Sequence, residues 1–365
     1  MTKLSPAELS RYSRHLILPE IGPCGQRKLK NSKVLCVGSG GLGSPIAMYL
    51  AAAGVGTLGI IDDDVVSENN LQRQIIHSTR SIKRRKVESA KERLEDLNPH
   101  IQVRPLAVRL NASNALDIFK DYDVIVDGTD NFGVRYLIND ACVLLGKPDV
   151  YGGVLRTEGQ ASVFHYKGGP CLRCLCPEPP KPGEVMTCTE GGILNVLPGI
   201  IGCIQANETI KIILGKGETL ANRLLILDAW KMKFREITLQ KDPMCPVCGT
   251  KPTIKKLKET AAFCAAQAVP LITAAGLKRL LKKEPAALQM IDVREPKETA
   301  AGMIPGAVNI PLGKIAARKS KLNPAKPIIF ICQSGVRSET AVRELTAAGF
   351  TAAMSSLKGG MNTWK

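Results

Sequence analysis

Aromatic side chains are scarce: seven Phe, six Tyr and two Trp make up 4% of 365 residues. Proteins that read single-stranded nucleic acid stack bases on rings, so that class is disfavoured. No apolar run approaches the length that spans a bilayer. The nearest, residues 193–204, is short and broken by Pro198, Gly199 and Gly202. No apolar stretch follows a basic start, so no secretory leader is expected, and a cytoplasmic, reducing setting is. Acidic residues are outnumbered, 33 against 50 Lys and Arg, leaving a formal net charge of +17. Such charge attracts an acidic partner or a polyphosphate. No groove-reading motif accompanies it, so nucleic acid is not the expected partner.

The remainder is ordinary for a folded chain, with 44% hydrophobic and 23% charged residues. The length exceeds what one core usually serves, so two unequal domains are expected. An apolar strand at 34–37 runs into Gly38-Ser39-Gly40-Gly41-Leu42-Gly43 and a helix from Pro45 to Ala53. A second strand, 58–61, ends in Asp62-Asp63-Asp64. This is a βαβ unit with a phosphate-binding turn. A helix at 87–97 and strands at 102–107 and 123–127 continue the alternation, which implies a mostly parallel, doubly wound sheet. Residues 171–188 hold four cysteines among prolines and read as a loop. A helix at 202–214 and a strand at 224–227 follow. Residues 250–270 read as a linker that can include a short helix. Strands at 290–293, 307–310 and 328–331 with a helix at 338–347 then form a second α/β domain.

The glycine turn alone fits a dinucleotide as well as ATP. Asp62, at the end of the next strand, suits ribose hydroxyls in either case. Arg73 and Lys86 break the tie. An enzyme that splits a triphosphate must stabilise charge building on the α-phosphate, and a dehydrogenase has little need of such cations. Asp130, after another strand, offers oxygen to magnesium. Cys171-x-x-Cys174 and Cys245-x-x-Cys248 suit a tetrahedral structural zinc, with Cys176 as a competing ligand. Cys188, in a glycine-flanked loop, can reach a reactive acyl group. Cys332 opens Cys332-Gln333-Ser334-Gly335-Val336-Arg337-Ser338 between a buried strand and a helix. Backbone N–H groups, the helix dipole and Arg337 there favour an anion on sulfur and a bound persulfide.

Residues 5–249 resemble the MoeB/ThiF family of ubiquitin-activating-like adenylyltransferases. The resemblance rests on Arg11-Tyr12-Ser13-Arg14-His15, the glycine turn, Asn70-Leu71-Gln72-Arg73-Gln74, Lys86-Val87-Glu88-Ser89-Ala90, Asp127-Gly128-Thr129-Asp130-Asn131 and the two CxxC pairs. It implies that Gly41, Asp62, Asn70, Arg73, Lys86 and Asp130 surround ATP and Mg2+. It also implies that Arg14 reaches the nucleotide site of the other subunit in a homodimer, and that Cys188 sits where the family carries its loop cysteine. Residues 270–365 resemble the rhodanese family through Asp292-Val293-Arg294-Glu295-Pro296, 302–311, the Cys332 loop and 357–364. Met303 stands where a histidine is common. The implied fold is α/β, a Rossmann-like doubly wound mostly parallel sheet (ThiF-type) with a smaller α/β rhodanese domain.

The expected organisation is an adenylyltransferase domain with a zinc site at 1–249, a linker at 250–270 and a sulfurtransferase domain at 271–365. The expected activity is ATP-dependent adenylation of the C-terminal glycine carboxylate of a ubiquitin-like sulfur carrier. Sulfur would follow from a Cys332 persulfide, charged by a cysteine desulfurase or thiosulfate. Cys188, Cys332, Arg73 and Arg14 would carry the chemistry. The rival readings are an NAD-dependent dehydrogenase on the same glycine turn and a non-catalytic scaffold.

Overall fold

The computed structural model describes residues 3–180, 191–258, 269–284 and 287–364. The chain divides into two compact units, Met1–Ala261 and Ala262–Lys365. Of the expected linker, residues 259–268 lie outside the described residues, as does Cys188.

The first unit opens with three helices, Pro6–Arg11, Ser13–Leu16 and Gly22–Asn31. Ser5 and Glu8 close a reciprocal capping box on the first of them. Eight strands follow: β1 (Lys33–Val37), β2 (Thr57–Ile61), β3 (Gln102–Leu106), β4 (Val124–Asp127), β5 (Asp149–Leu155), β6 (Glu158–Phe164), β7 (Arg223–Asp228) and β8 (Lys233–Thr238). They form one sheet in the order β3-β2-β1-β4-β5-β6-β7-β8. Strands β1 to β5 pair in parallel and β6, β7 and β8 antiparallel. Helices cover both faces of the parallel part, which is why its central strands β1 and β4 read as short apolar runs. Val34, Cys36, Leu58, Ile60, Val124 and Val126 pack on one side with Ile46, Leu50, Val87, Leu94 and Ile201. Leu35, Val37, Ile61 and Ile125 pack on the other with Leu137, Ile138 and Ala141. The strand order reverses between β1 and β4, and Val37 is level with both Ile61 and Asp127. The carboxyl ends of β1, β2 and β4 therefore meet at one edge, where an open α/β sheet binds ligands.

The second unit holds β9 (Leu271–Ile272), β10 (Gln289–Asp292), β11 (Val308–Asn309), β12 (Ile328–Ile331) and β13 (Met354–Leu357). They make a five-stranded, wholly parallel sheet in the order β11-β10-β12-β13-β9. The helix Val336–Ala347 follows β12 directly across the Cys332 loop. Near Trp364 the chain forms only a single 3-10 turn, Gly360–Thr363.

Among the described residues, no helix is long and apolar enough to cross a membrane. Two boundaries moved. The helix expected from Gly202 begins at Leu197, because Pro198 sits in the first turn, where its missing N–H costs nothing. Among its described residues the 171–188 loop contains the helical turn Leu172–Leu175.

Candidate functional site

A crevice of about 360 Å³ opens at the sheet's switch point. Gly40, Gly41, Asp62, Asn70, Arg73, Gln74, Lys86 and Asp130 line it, and Val108, Leu110, Val154, Ile193 and Pro198 give it apolar walls. Gly38 has φ +91°, open to glycine at little cost. Gly43 is required by contact: a Cβ there would lie 2.0 Å from the Gly38 carbonyl oxygen. The turn therefore folds back tightly before the helix Gly43–Ala53 starts.

Asp62 braces this turn. Its Oδ2 accepts from Ser39 N–H at 2.9 Å and from the Ser39 hydroxyl at 3.0 Å, and its Oδ1 accepts from Asp64 N–H. A carboxylate has about four acceptor positions, so one remains for a ribose hydroxyl. Lys86 begins the helix Lys86–Leu97 and is buried, yet its Nζ reaches Asp64 Oδ2 at 2.8 Å. Arg73 donates to the Asn69 carbonyl. Gln74 Oε1 is buried with no hydrogen-bond partner among the described residues.

Six of the expected residues thus converge on one space: Gly41, Asp62, Asn70, Arg73, Lys86 and Asp130. Arg14 does not join them. It is exposed on Ser13–Leu16 and does not line the crevice of its own chain. His77 was missed in the sequence. It is buried behind the turn, with Nε2 3.0 Å from the Ser39 carbonyl and Nδ1 3.0 Å from Ser89 Oγ. It closes the Asn70–His77 run, where a polar residue followed by two isoleucines was its only signal.

Cys171, Cys174, Cys245 and Cys248 bring their sulfurs within 4.8 Å of one another. The separations Cys171–Cys245 and Cys174–Cys248 are 3.6 and 3.4 Å, and Cys171–Cys174 is 4.0 Å. Tetrahedral zinc–thiolate bonds of about 2.3 Å imply sulfurs about 3.8 Å apart, so the cluster could hold zinc with no open position. Cys176 is exposed and outside the cluster, whereas Cys174 is part of it. The helix Phe132–Leu145 grips this knuckle. Asn139 Oδ1 accepts from Leu172 N–H, and Asp140 takes a bidentate pair from Arg173.

In the second unit Cys332 is fully buried at the end of β12. Its Sγ accepts from Gly335 N–H at 3.1 Å and lies 3.3 Å from Ser338 Oγ, which meets Ser356 Oγ at 2.7 Å. Gly335, at φ +97°, turns that N–H inward. Gly360 lets a second loop close over the first, since a Cβ there would lie 2.2 Å from the Cys332 carbonyl. Arg337 interacts electrostatically with Cys332 and also has a carboxylate partner. Its guanidinium is bound bidentately by Glu298 at 2.6 and 2.7 Å, which holds that carboxyl down at about 2. Among the described residues the sulfur's hydrogen-bond contacts are the Gly335 N–H and the Ser338 hydroxyl.

Fold and sites define a class: a doubly wound α/β unit with a crevice at its switch point, followed by a smaller parallel-sheet unit with a buried cysteine loop. A ThiF family model matches residues 12–247 and a rhodanese-like domain model residues 273–365, and the chain belongs to the ThiF family. It is 45% identical over 374 residues to a probable adenylyltransferase/sulfurtransferase MoeZ of Mycobacterium tuberculosis, covering 99% of this chain and 94% of the relative. It is 43% identical to the adenylyltransferase and sulfurtransferase MOCS3 of Drosophila ananassae, covering 100% of this chain and 84% of that one. A crystal structure of E. coli MccB with AMPCPP and selenomethionine MccA superposes with a TM-score of 0.59 at 25% identity, covering 66% of this chain and 74% of that chain. The protein is an adenylyltransferase and sulfurtransferase. The dehydrogenase reading finds no support among these relatives.

Proposed function

We propose that the first unit adenylates the C-terminal glycine carboxylate of a ubiquitin-like sulfur carrier ending in Gly-Gly, and that the second supplies the sulfur. The carrying observation is the convergence of Gly41, Asp62, Asn70, Arg73, Lys86 and Asp130 around one crevice at the switch point. Apolar walls suit a base, the spare Asp62 position suits a ribose, and the turn with Lys86 and Arg73 suits a triphosphate. Family membership implies ATP use, and the AMPCPP-bound MccB neighbour is consistent with it.

The carrier carboxylate attacks the α-phosphorus, pyrophosphate leaves, and an acyl-adenylate remains. Arg73 and Lys86 offset the charge that builds there, helped by Arg14 of a second copy in a homodimer. Asp130, on the crevice wall, would offer oxygen to Mg2+, which would shield the phosphates. The terminal sulfur of a Cys332 persulfide then attacks the acyl carbon and AMP leaves. A thiolate cleaves the resulting acyl disulfide, so that the thiocarboxylate leaves and Cys332 remains in a disulfide with that thiol for a cellular thiol to reduce. Cys188 assists either by acyl transfer or in this reductive release. Zinc in the four-cysteine cluster is structural. Residues 1–249 carry adenylation and 271–365 sulfur transfer, joined through 250–270, in the cytoplasm. The donor is a cysteine desulfurase or thiosulfate, and the carrier serves molybdenum-cofactor or thiamin synthesis.

The test measures carrier-dependent exchange of labelled pyrophosphate into ATP beside thiocarboxylate formation by mass spectrometry. Asp130→Ala lowers exchange by about 100-fold or more, whereas Cys332→Ala leaves exchange intact and abolishes the thiocarboxylate. Exchange that survives Asp130→Ala refutes the site, and thiocarboxylate formed at full rate by Cys332→Ala refutes the sulfur route.

A further inference from the structure

The glycine turn is gripped from behind at a single residue. Ser39 gives both its N–H and its hydroxyl to Asp62 Oδ2. Its carbonyl meets His77 Nε2 at 3.0 Å, and the other ring nitrogen meets Ser89 Oγ. A carbonyl oxygen can only accept, so Nε2 must carry a proton. Burial, with Lys86 nearby, pushes the imidazole below its ordinary value, so the ring is neutral. Nδ1 is then an acceptor and Ser89 its donor. That fixes the tautomer without reference to any ligand.

The consequence lies on the far side of the peptide. The bond between Ser39 and Gly40 is trans, so the Gly40 N–H points opposite to the Ser39 carbonyl. With the carbonyl held toward buried His77, that N–H points away from the ring. Gly40 lines the crevice, and its N–H makes no hydrogen bond to the described backbone. Ser89 sits one turn beyond Lys86 on the same helix. The imidazole therefore ties the turn, on one wall, to the helix that carries the buried lysine on the other.

We infer that His77 is a positioning residue for adenylation: through the Ser39 carbonyl and Ser89 it aims the Gly40 N–H, and aligns it with Lys86, on the phosphates of the nucleotide. The inference rests on the reading that the crevice takes ATP. His77 touches neither substrate nor reacting atoms, and no sequence pattern separates it from an ordinary core histidine.

The experiment compares ATP and adenosine binding by calorimetry in the full-length protein and three variants. In His77→Phe the ring's bulk stays and its donor goes. ATP should then bind about 30-fold more weakly, and adenosine within about threefold of wild type, because only phosphates use the aimed N–H. His77→Gln, whose amide can donate to the Ser39 carbonyl, should stay within about fivefold for ATP. Ser89→Ala, which releases the tautomer, should fall between the two. Equal losses for ATP and adenosine in His77→Phe would mean a merely structural histidine and overturn the inference. So would unchanged ATP binding, or a Gln variant as weak as Phe. Should the Phe variant not fold, the contrast between His77→Gln and Ser89→Ala decides by the same ratio. A wild-type protein that fails to bind ATP would instead bring down the nucleotide reading on which this stands.

Discussion

Among single residues, Asp149 is held against its ordinary ionisation. It is fully buried on β5, and neither carboxyl oxygen has a hydrogen-bond partner among the described residues. Burial pushes its pKa well above 3.8; the Asp127 charge adds to the rise and Arg135 opposes it. Asp127 is also raised by burial, but its Oδ1 accepts from the Thr129 N–H and hydroxyl, so Asp149 is the partner that keeps the proton. A carboxyl whose folded-state pKa lies above its unfolded value holds its proton more tightly in the native chain. The stability it contributes is full below about 3.8 and is lost as pH rises through the folded value. Asp149→Asn removes this dependence. Denaturant unfolding at pH 8 should show the variant more stable than wild type by about 1–3 kcal/mol, with the gain shrinking toward pH 5. An equal effect at both pH values would mean that Asp149 does not titrate in this range. Neither Asp149 nor His77 was legible in the sequence, because each is defined by what tertiary packing puts around it. Gly43, Lys86 and Asp130 were legible, since their spacing along the chain is the signal.

Elements were read where one period dominates and missed where two constraints compete. Strands β1, β2 and β4 are short apolar runs buried on both faces, and each was found within a residue or so. Strand β5 contains Gly152 and Gly153, which local propensity reads as a break. Gln205 explains one of them, because a Cβ on Gly152 would lie 2.2 Å from its side-chain oxygen. The cysteine knuckle was read from spacing alone, though the choice between Cys174 and Cys176 needed geometry. That choice can be measured. Cys171→Ser and Cys174→Ser should lose bound zinc and lower the melting temperature by several degrees, as expected when a structural metal goes. Cys176→Ser should keep full zinc content by atomic emission. Zinc retained in Cys174→Ser but lost in Cys176→Ser would exchange the two ligands. The helix Phe132–Leu145 makes this more than a local matter. Asn131, at its N-cap, lines the crevice at the switch point, and further along Asn139 and Asp140 hold the knuckle.

At the scale of the whole molecule the dominant quantity is the net charge of +17, set by 50 basic and 33 acidic side chains. It has no bearing on which fold forms, but it governs encounter. The crevice at the switch point is not the source of this excess, for Asp62, Asp63, Asp64 and Asp130 line it beside Arg73, Lys86 and Arg109. The surplus positive charge lies elsewhere on the surface, where it would steer a protein substrate rather than ATP. A carrier of acidic character is the partner this favours. Screening then separates the two substrates. The Debye length falls from about 10 Å at 0.1 M salt to a third of that at 1 M, so long-range steering fades while short contacts inside the crevice persist. Raising salt from about 0.05 to 0.5 M should raise the KM for the carrier in pyrophosphate exchange by about tenfold and shift the KM for ATP much less. Parallel shifts in both would put the charge effect at the nucleotide, and an unchanged carrier KM would mean that docking proceeds through apolar contact alone.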